Sequence, residues 1–185
     1  METWKAALSD DTFEDYIVRR CEKPSYTEDD KIECLRCCNE NKCGCYGSTW
    51  ACPPGFSMDV KRLYDDTDYV ILVQRTFCLD VKDKEVVDST SVEMQRIVRL
   101  MVTNLRQYGL DCIGFADGAC HYCGVCSYPE ECRYPDMLVP SISSLGLNMG
   151  KYLGDMGMNL SFCDDCITLY GLIFVNTKDD VSLIQ

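Results

Sequence analysis

Cysteine spacing constrains this chain more than any other feature of its sequence. Fifteen cysteines occur in 185 residues, and most of them fall in two short blocks. The first block, residues 34–54, holds Cys34, Cys37, Cys38, Cys43, Cys45 and Cys52. The second block, residues 118–135, holds Cys120, Cys123, Cys126 and Cys132. Thiols packed this densely serve disulfides, a zinc site or an iron–sulfur cluster.

The expected compartment favours metal over disulfides. The N-terminal stretch METWKAALSDDTFEDYIVRR is acidic and lacks the basic start, apolar run and cleavage site of a secretory signal. We therefore expect a cytoplasmic protein, in which thiols stay reduced and dense cysteine spacing indicates metal binding. No apolar run approaches the roughly 20 residues that cross a bilayer, so membrane insertion is not expected.

The charge balance limits the expected partners. The formal net charge is −12, and a surface this negative repels phosphate backbones, so we expect no nucleic-acid binding. An acidic surface suits docking to a redox partner protein with a basic surface.

Between the two blocks the chain reads as alternating strand and helix. Short apolar runs predict strands at residues 68–77, 110–117 and 168–176. Thr90 and Glu93 match a capping box, and apolar residues at helical spacing then predict a helix that ends at Gly109. Residues 141–156 predict one or two short helices. We expect one α/β or α+β domain over residues 1–185, with a small strand-helix-strand core and the two cysteine-rich metal-binding loops inserted.

The second block favours a 4Fe–4S cluster, with zinc as the alternative. Cys120, Cys123 and Cys126 follow the C-x2-C-x2-C spacing of ferredoxin loops, and Cys132 supplies a fourth thiol. The block departs from ferredoxins because five residues precede Cys132 and two separate it from Pro135. Structural zinc sites more often use two separated cysteine pairs, which this block lacks.

The first block predicts a second metal site, an iron–sulfur cluster or zinc. Cys37 and Cys38 are adjacent and do not easily reach one metal together, so at least one is expected to be a bystander. The candidate ligands are Cys37, Cys38, Cys43, Cys45 and Cys52. Tyr46 and Trp50 are candidates to cover a cluster. If three thiols bind, one iron stays open to a small ligand, which would permit chemistry as well as electron transfer.

These residues carry a family resemblance. The segments KCGCYGSTWACPPG, GACHYCGVCSYPEECRYP, VPSISSLGLN and TLYGLIFV resemble the predicted metal-binding proteins of domain-of-unknown-function family 2284, from about Cys34 to Val175. Two hallmarks combine: a cysteine loop ending in WxCPP, at residues 50–54, and a second ending in CRxP, at residues 132–135. The resemblance implies a cytosolic metalloprotein typical of anaerobic bacteria and archaea, with iron–sulfur clusters expected. It implies no settled reaction.

The remaining residues with reactive side chains do not predict a hydrolase. The sole histidine, His121, lies inside the second block, so an ordinary nucleophile-histidine pair is not expected. Cys163 and Cys166 form a late CxxC that fits a redox dithiol, half a zinc site or core residues. Three functions remain: a 4Fe–4S electron-transfer protein with one or two clusters, an iron–sulfur enzyme with an open iron, or a zinc-stabilised interaction module. The sequence leaves open whether the protein is an enzyme.

Overall fold

The computed structural model describes residues 2–56, 58–158 and 165–177. Within these ranges the strands form a single sheet in the order β1-β2-β4-β3, with every neighbouring pair antiparallel. The strands are β1 (Ile17–Cys21), β2 (Tyr69–Cys78), β3 (Asp111–Ala116) and β4 (Cys166–Asn176).

The sequence located three of these strands, and the mixed α/β class is confirmed. β2, β3 and β4 carry continuous apolar segments that are buried on both faces of the sheet, which is the pattern that identifies a strand from sequence. β1 was missed because it lies at the sheet edge, where its side chains are exposed or half-buried and its apolar signal is weak.

The helices accompany the sheet on both faces. They are α1 (Thr3–Ala7), α2 (Glu28–Asn39), α3 (Val60–Asp66), α4 (Lys84–Gln107) and α5 (Met149–Asp155). Short 3₁₀ segments occur at Asp11–Phe13, Pro135–Met137 and Ile142–Leu145. Helix α2 was not predicted, because it buries no residue fully and therefore shows no apolar stripe.

The predicted start of α4 was wrong. The helix begins at Lys84, where the Asp83 carboxylate accepts hydrogen bonds from the backbone N–H groups of Glu85 and Val86. Thr90 lies inside the helix and donates its hydroxyl to Val87 O at 2.7 Å, so it does not act as a cap. The predicted end is confirmed: Gly109 takes φ 84°, a left-handed conformation that glycine adopts without strain.

Helix α4 connects β2 to β3, as the strand-helix-strand prediction required. Since both strands are antiparallel to β4, they run parallel to each other on either side of it. The last strand along the chain therefore inserts between the two strands that α4 connects.

Two apolar layers cover the sheet. One is formed by α4, whose buried side chains include Met94, Ile97, Val98, Met101 and Leu105, packed on Ile71, Val73 and Ile173. The other face of the sheet packs against α3, α5 and the 3₁₀ segment at Ile142–Leu145. The helical side chains in this layer are Tyr64, Leu145 and Leu153, and the strand side chains are Leu72, Phe115 and Phe174. Fully burying a side chain of this size contributes about 1.5–3 kcal/mol relative to leaving it exposed.

The segment after residue 141 forms two short helical pieces, as predicted. Gly146, which ends the 3₁₀ segment, has φ 63°, and a Cβ placed there would lie 2.7 Å from the Cα of Lys31 in α2. Gly150 and Gly154 lie inside α5. The close approach at Gly146 fixes this segment against α2, which carries part of the first cysteine block.

Candidate metal centre

Helix α2 places three cysteines of the first block on one side. Thr27 caps the helix by accepting a hydrogen bond from Asp30 N at 3.2 Å. Cys34, Cys37 and Cys38 then stand at i, i+3 and i+4, positions that share a helix face. The cysteine spacing predicted a loop here, and no apolar pattern indicated that a helix aligns these thiols.

The chain after α2 turns back on itself and brings the other three thiols to the helix. Asn41 takes φ 50°, and its side-chain oxygen accepts a hydrogen bond from Tyr46 N at 2.9 Å. Gly47 N donates to Pro53 O at 2.9 Å, which closes the loop at its far end. Cys43, Cys45 and Cys52 are therefore held opposite α2 by backbone contacts within the loop.

All six cysteines of the first block line one cavity of about 630 Å³. We call this space the six-cysteine cavity. The five cysteines predicted as ligands here, Cys37, Cys38, Cys43, Cys45 and Cys52, are thus brought together, and Cys34 joins them. Of the two aromatic residues predicted to cover a cluster, Tyr46 lines this cavity and Trp50 does not.

The thiols in this cavity influence each other's ionisation. Burial raises the pKa of Cys52 to about 12, and the nearby thiols of Cys45, Cys43 and Cys38 add to the increase. Burial likewise raises the pKa of Cys34 to about 11, with a further contribution from Cys38. Thiols with raised pKa values remain protonated at neutral pH, so a bound cation is what would convert them to thiolates.

The second block forms a loop between β3 and the 3₁₀ segment at Pro135–Met137. Cys120, Cys123, Cys126 and Cys132 all line a second cavity of about 20 Å³, which we call the four-cysteine cavity. This volume holds about one water-sized particle. The four predicted ligands are therefore brought together, around a much smaller space than the first block encloses.

Arg99 of α4 is a neighbour of the second block that the sequence did not indicate. Its Nη2 donates a hydrogen bond to Cys120 Sγ at 3.6 Å, and its Nε donates to Met137 O at 2.7 Å. The guanidinium also lies 4.9 Å from the centre of the Tyr122 ring. These contacts fix a permanent positive charge beside one of the candidate ligands.

The two cysteine blocks are in contact. Trp50 of the first block donates its indole N–H to Glu130 O of the second at 2.7 Å, and its ring packs edge-on against Tyr128 at 5.1 Å. Trp50 and Ala51 line the four-cysteine cavity, while the next residue, Cys52, lines the six-cysteine cavity. The cavities are therefore separated by one stretch of backbone.

Asp117 is a second residue that the sequence analysis did not single out. It follows β3, lines the six-cysteine cavity, and accepts a hydrogen bond from Tyr170 N at 2.8 Å through Oδ2. Burial raises the pKa of its carboxyl group from 3.8 to about 6. An aspartate directly after a buried strand was a signal in the sequence, but the first-block cysteines lie 65 or more residues earlier, and nothing indicated that Asp117 would face them.

The thiol ligands suit either zinc or an iron–sulfur cluster, whereas the two cavity volumes distinguish between a cluster and a single ion. Among the described residues, no group of three His, Cys, Asp or Glu side chains is close enough to hold a metal ion without movement. Thiolate is nevertheless the ligand that zinc and iron–sulfur clusters share. The six-cysteine cavity has room for a cluster, whereas the four-cysteine cavity fits a single ion and would have to widen for a cluster.

His121 and Cys166 do not line these two cavities. His121 lines a separate surface hollow beside Arg99, away from the four thiols of its block. Cys166 begins β4, and Cys163 lies outside the described residues. Among the residues that the structure describes, no helix is both long enough and apolar enough to span a bilayer.

Comparison with known protein families finds a match over most of the chain. A family model with the description "Predicted metal-binding protein (DUF2284)" matches residues 30–175. No curated protein and no solved structure matches the chain. The matched range contains both cysteine blocks, Arg99 and Asp117.

Proposed function

Since this chain belongs to the predicted metal-binding protein family DUF2284, we propose that it is a cytoplasmic iron–sulfur protein that exchanges electrons with a redox partner. The observation that supports this proposal is the convergence of six thiols from a helix and a loop on one roomy cavity, directly behind a second cavity lined by four more. A 4Fe–4S cluster held in the first cavity would supply one-electron redox chemistry.

The thiols best placed to hold a cluster in the six-cysteine cavity are Cys38, Cys43, Cys45 and Cys52, because the first three lie near enough to Cys52 to raise its pKa. Cys37 is exposed, and its thiol donates to Glu33 Oε1 at 3.8 Å, so it is the bystander of the adjacent pair in this proposal. The thiol of Cys34 donates to Leu147 O at 3.4 Å and supports the cavity wall. Four thiolates are the usual ligand set of such a cluster.

The four-cysteine cavity has two candidate occupants. Its ligand spacing resembles that of a ferredoxin loop, which supports a second 4Fe–4S cluster held by Cys120, Cys123, Cys126 and Cys132. Its small volume supports a single zinc ion with the same four ligands. In the second case this site would stabilise the loop, and the redox role would belong to the six-cysteine cavity alone.

The surface near the four-cysteine cavity is suited to a partner. Tyr122, Val125 and Tyr134 are exposed there, with 81% of Val125 accessible to solvent. The protein as a whole carries a net charge of −12. An apolar patch on an acidic protein favours a partner with a basic rim, because opposite charges accelerate the encounter.

The test is to measure metal and sulfide in protein purified without exposure to air. We expect iron and acid-labile sulfide in equal amounts, about four of each per cluster. C45S should lose the iron of the six-cysteine cavity, and C123S should lose the second cluster or the zinc. C78S is the matched control, since Cys78 is an exposed thiol that lines neither cavity. Wild-type protein that contains zinc and no iron would refute the proposal.

A further inference from the structure

The wall of the six-cysteine cavity opposite the thiols is made by the segment VPSISSLGLN and by Asp117. This segment is part of the family resemblance, but it supplies no ligand to the proposed metal sites. Ser141, Ser143 and Asn148 from the segment line the cavity, together with the apolar side chains of Ile142 and Leu147. The cavity therefore has a thiol side suited to a metal and a mixed polar and apolar side suited to an organic ligand.

This wall is held in place from two directions. Ala116 N at the end of β3 donates to Pro140 O at 3.1 Å, and Ser141 N donates to Ala51 O at 2.9 Å. The hydroxyl of Ser144 donates to the same Ala51 oxygen at 2.9 Å. The wall is thus attached to the sheet and to the backbone that separates the two cavities, so its side chains have fixed positions before any ligand binds.

Asp117 is fixed in the same way. Its N–H donates to Tyr170 O at 3.1 Å, and its Oδ2 accepts from Tyr170 N at 2.8 Å. Within the described part of the chain, no hydrogen bond reaches Oδ1. Because the Asp117 side chain lines the cavity, this oxygen is available to accept a hydrogen bond from a donor that enters it.

The charges that line the cavity select the ligand. Three carboxylates, those of Asp30, Glu33 and Asp117, face it within the described residues, against a single lysine, Lys42. Asp30 pairs with Lys151, Glu33 with Arg36, and Lys42 with Glu40, so among the described residues Asp117 is the lining charge that no ion pair neutralises. Thiolates bound to a metal would add negative charge, so the cavity disfavours anions and favours a cation.

We propose that the Asp117 end of the six-cysteine cavity binds the ammonium group of a small organic amine, whose remainder extends towards the metal site. The inference rests on the proposed function, because it places the amine beside a metal held by the cysteines. The volume of about 630 Å³ leaves space for a ligand of several atoms next to a cluster. Asp117 and the VPSISSLGLN segment thus form a binding site, and the cysteines form the metal site that it adjoins.

The test compares small thiols that differ in charge. Cysteamine carries an ammonium group, 2-mercaptoethanol is neutral, and 3-mercaptopropionate is anionic. Calorimetric titration into anaerobic, metal-loaded protein should show cysteamine binding at least tenfold more tightly than the other two, because a hydrogen bond to a charged group adds at least that much. D117N should remove this preference and leave 2-mercaptoethanol unchanged. The control D111N replaces an exposed aspartate at the start of β3 and should behave as the wild type.

The outcomes separate this inference from the proposed function. Equal affinity for the three thiols in the wild type, or an unchanged cysteamine preference in D117N, would overturn the inference while iron and sulfide remained present. Absence of iron and sulfide in the same preparation would refute the proposed function instead. Ethanolamine, which has no thiol, tests the contact with Asp117 independently of the metal, and its binding should also be lost in D117N.

Discussion

Replacing Asp117 by asparagine should stabilise the protein at neutral pH. The folded structure raises the pKa of this carboxyl group from 3.8 to about 6, because ionisation is unfavourable where the side chain is surrounded by protein. A difference of about two pH units corresponds to about 3 kcal/mol of unfolding free energy, at 1.4 kcal/mol per unit. Asparagine keeps an oxygen for the hydrogen bond from Tyr170 N but carries no charge.

The pH dependence gives the sign of this effect. An acid whose pKa is raised by folding contributes no destabilisation below its unfolded pKa, where it is protonated in both states. The destabilisation appears as pH rises from about 4 to about 6 and is constant above that range. We therefore expect D117N to be more stable than the wild type by up to about 3 kcal/mol at pH 8 and by less than about 1 kcal/mol at pH 4.

Urea unfolding of reduced, metal-free protein at several pH values measures this difference. The metal-free state is used because thiol ligands release their metal in acid. D111N serves as the control and should match the wild type throughout, since its aspartate is exposed. A D117N protein that is no more stable than the wild type at pH 8, or whose advantage does not shrink in acid, would show that Asp117 carries no ionisation penalty.

Other perturbations test the surroundings of the two cavities. R99M should lower the reduction potential of a cluster in the four-cysteine cavity, because it removes a positive charge and a hydrogen bond to Cys120. The control R96M, which replaces an arginine that pairs with Glu93, should leave that potential unchanged. Redox titration monitored by electron paramagnetic resonance measures the potential in both variants. G146A should reduce the thermal midpoint by several degrees, because its Cβ would lie 2.7 Å from backbone in α2. Removing the metal by anaerobic chelation should lower the thermal midpoint of the wild type, because a metal bound only to the folded state stabilises it.

Much of the fold could be read from local sequence. β2, β3, β4 and most of α4 were predicted because each buries a continuous or periodic set of apolar residues, and burial leaves a pattern in the sequence. The elements that were missed, β1 and α2, lie at an edge or on the surface and contribute little to either apolar layer. The start of α4 was misplaced because the Thr90 and Glu93 spacing matches a capping box, whereas the side chain that caps the helix is that of Asp83.

The cysteines of the candidate site were predicted as two groups, and each group lines one cavity. Dense cysteine spacing identifies such residues because the ligands of one site must lie close together, and short separations along the chain provide this. The occupants of the two sites remain predictions. The difference in volume between the two cavities helps to distinguish a cluster from a single ion, and cysteine spacing does not reveal this difference.

The sequence by itself determined the predicted metal-binding family of this protein, the two groups of candidate cysteines and the strands and helix of its core, since each depends on neighbours along the chain. The tertiary structure alone decided that the two blocks share a wall, that Arg99 contacts Cys120 and that Asp117 faces the first block. These relationships join residues that are far apart in the chain, and they arise from how the sheet, α2 and the loops pack together. Packing over such separations leaves no periodic signal in a single sequence, which is why the neighbours of the thiols had to be found in the fold.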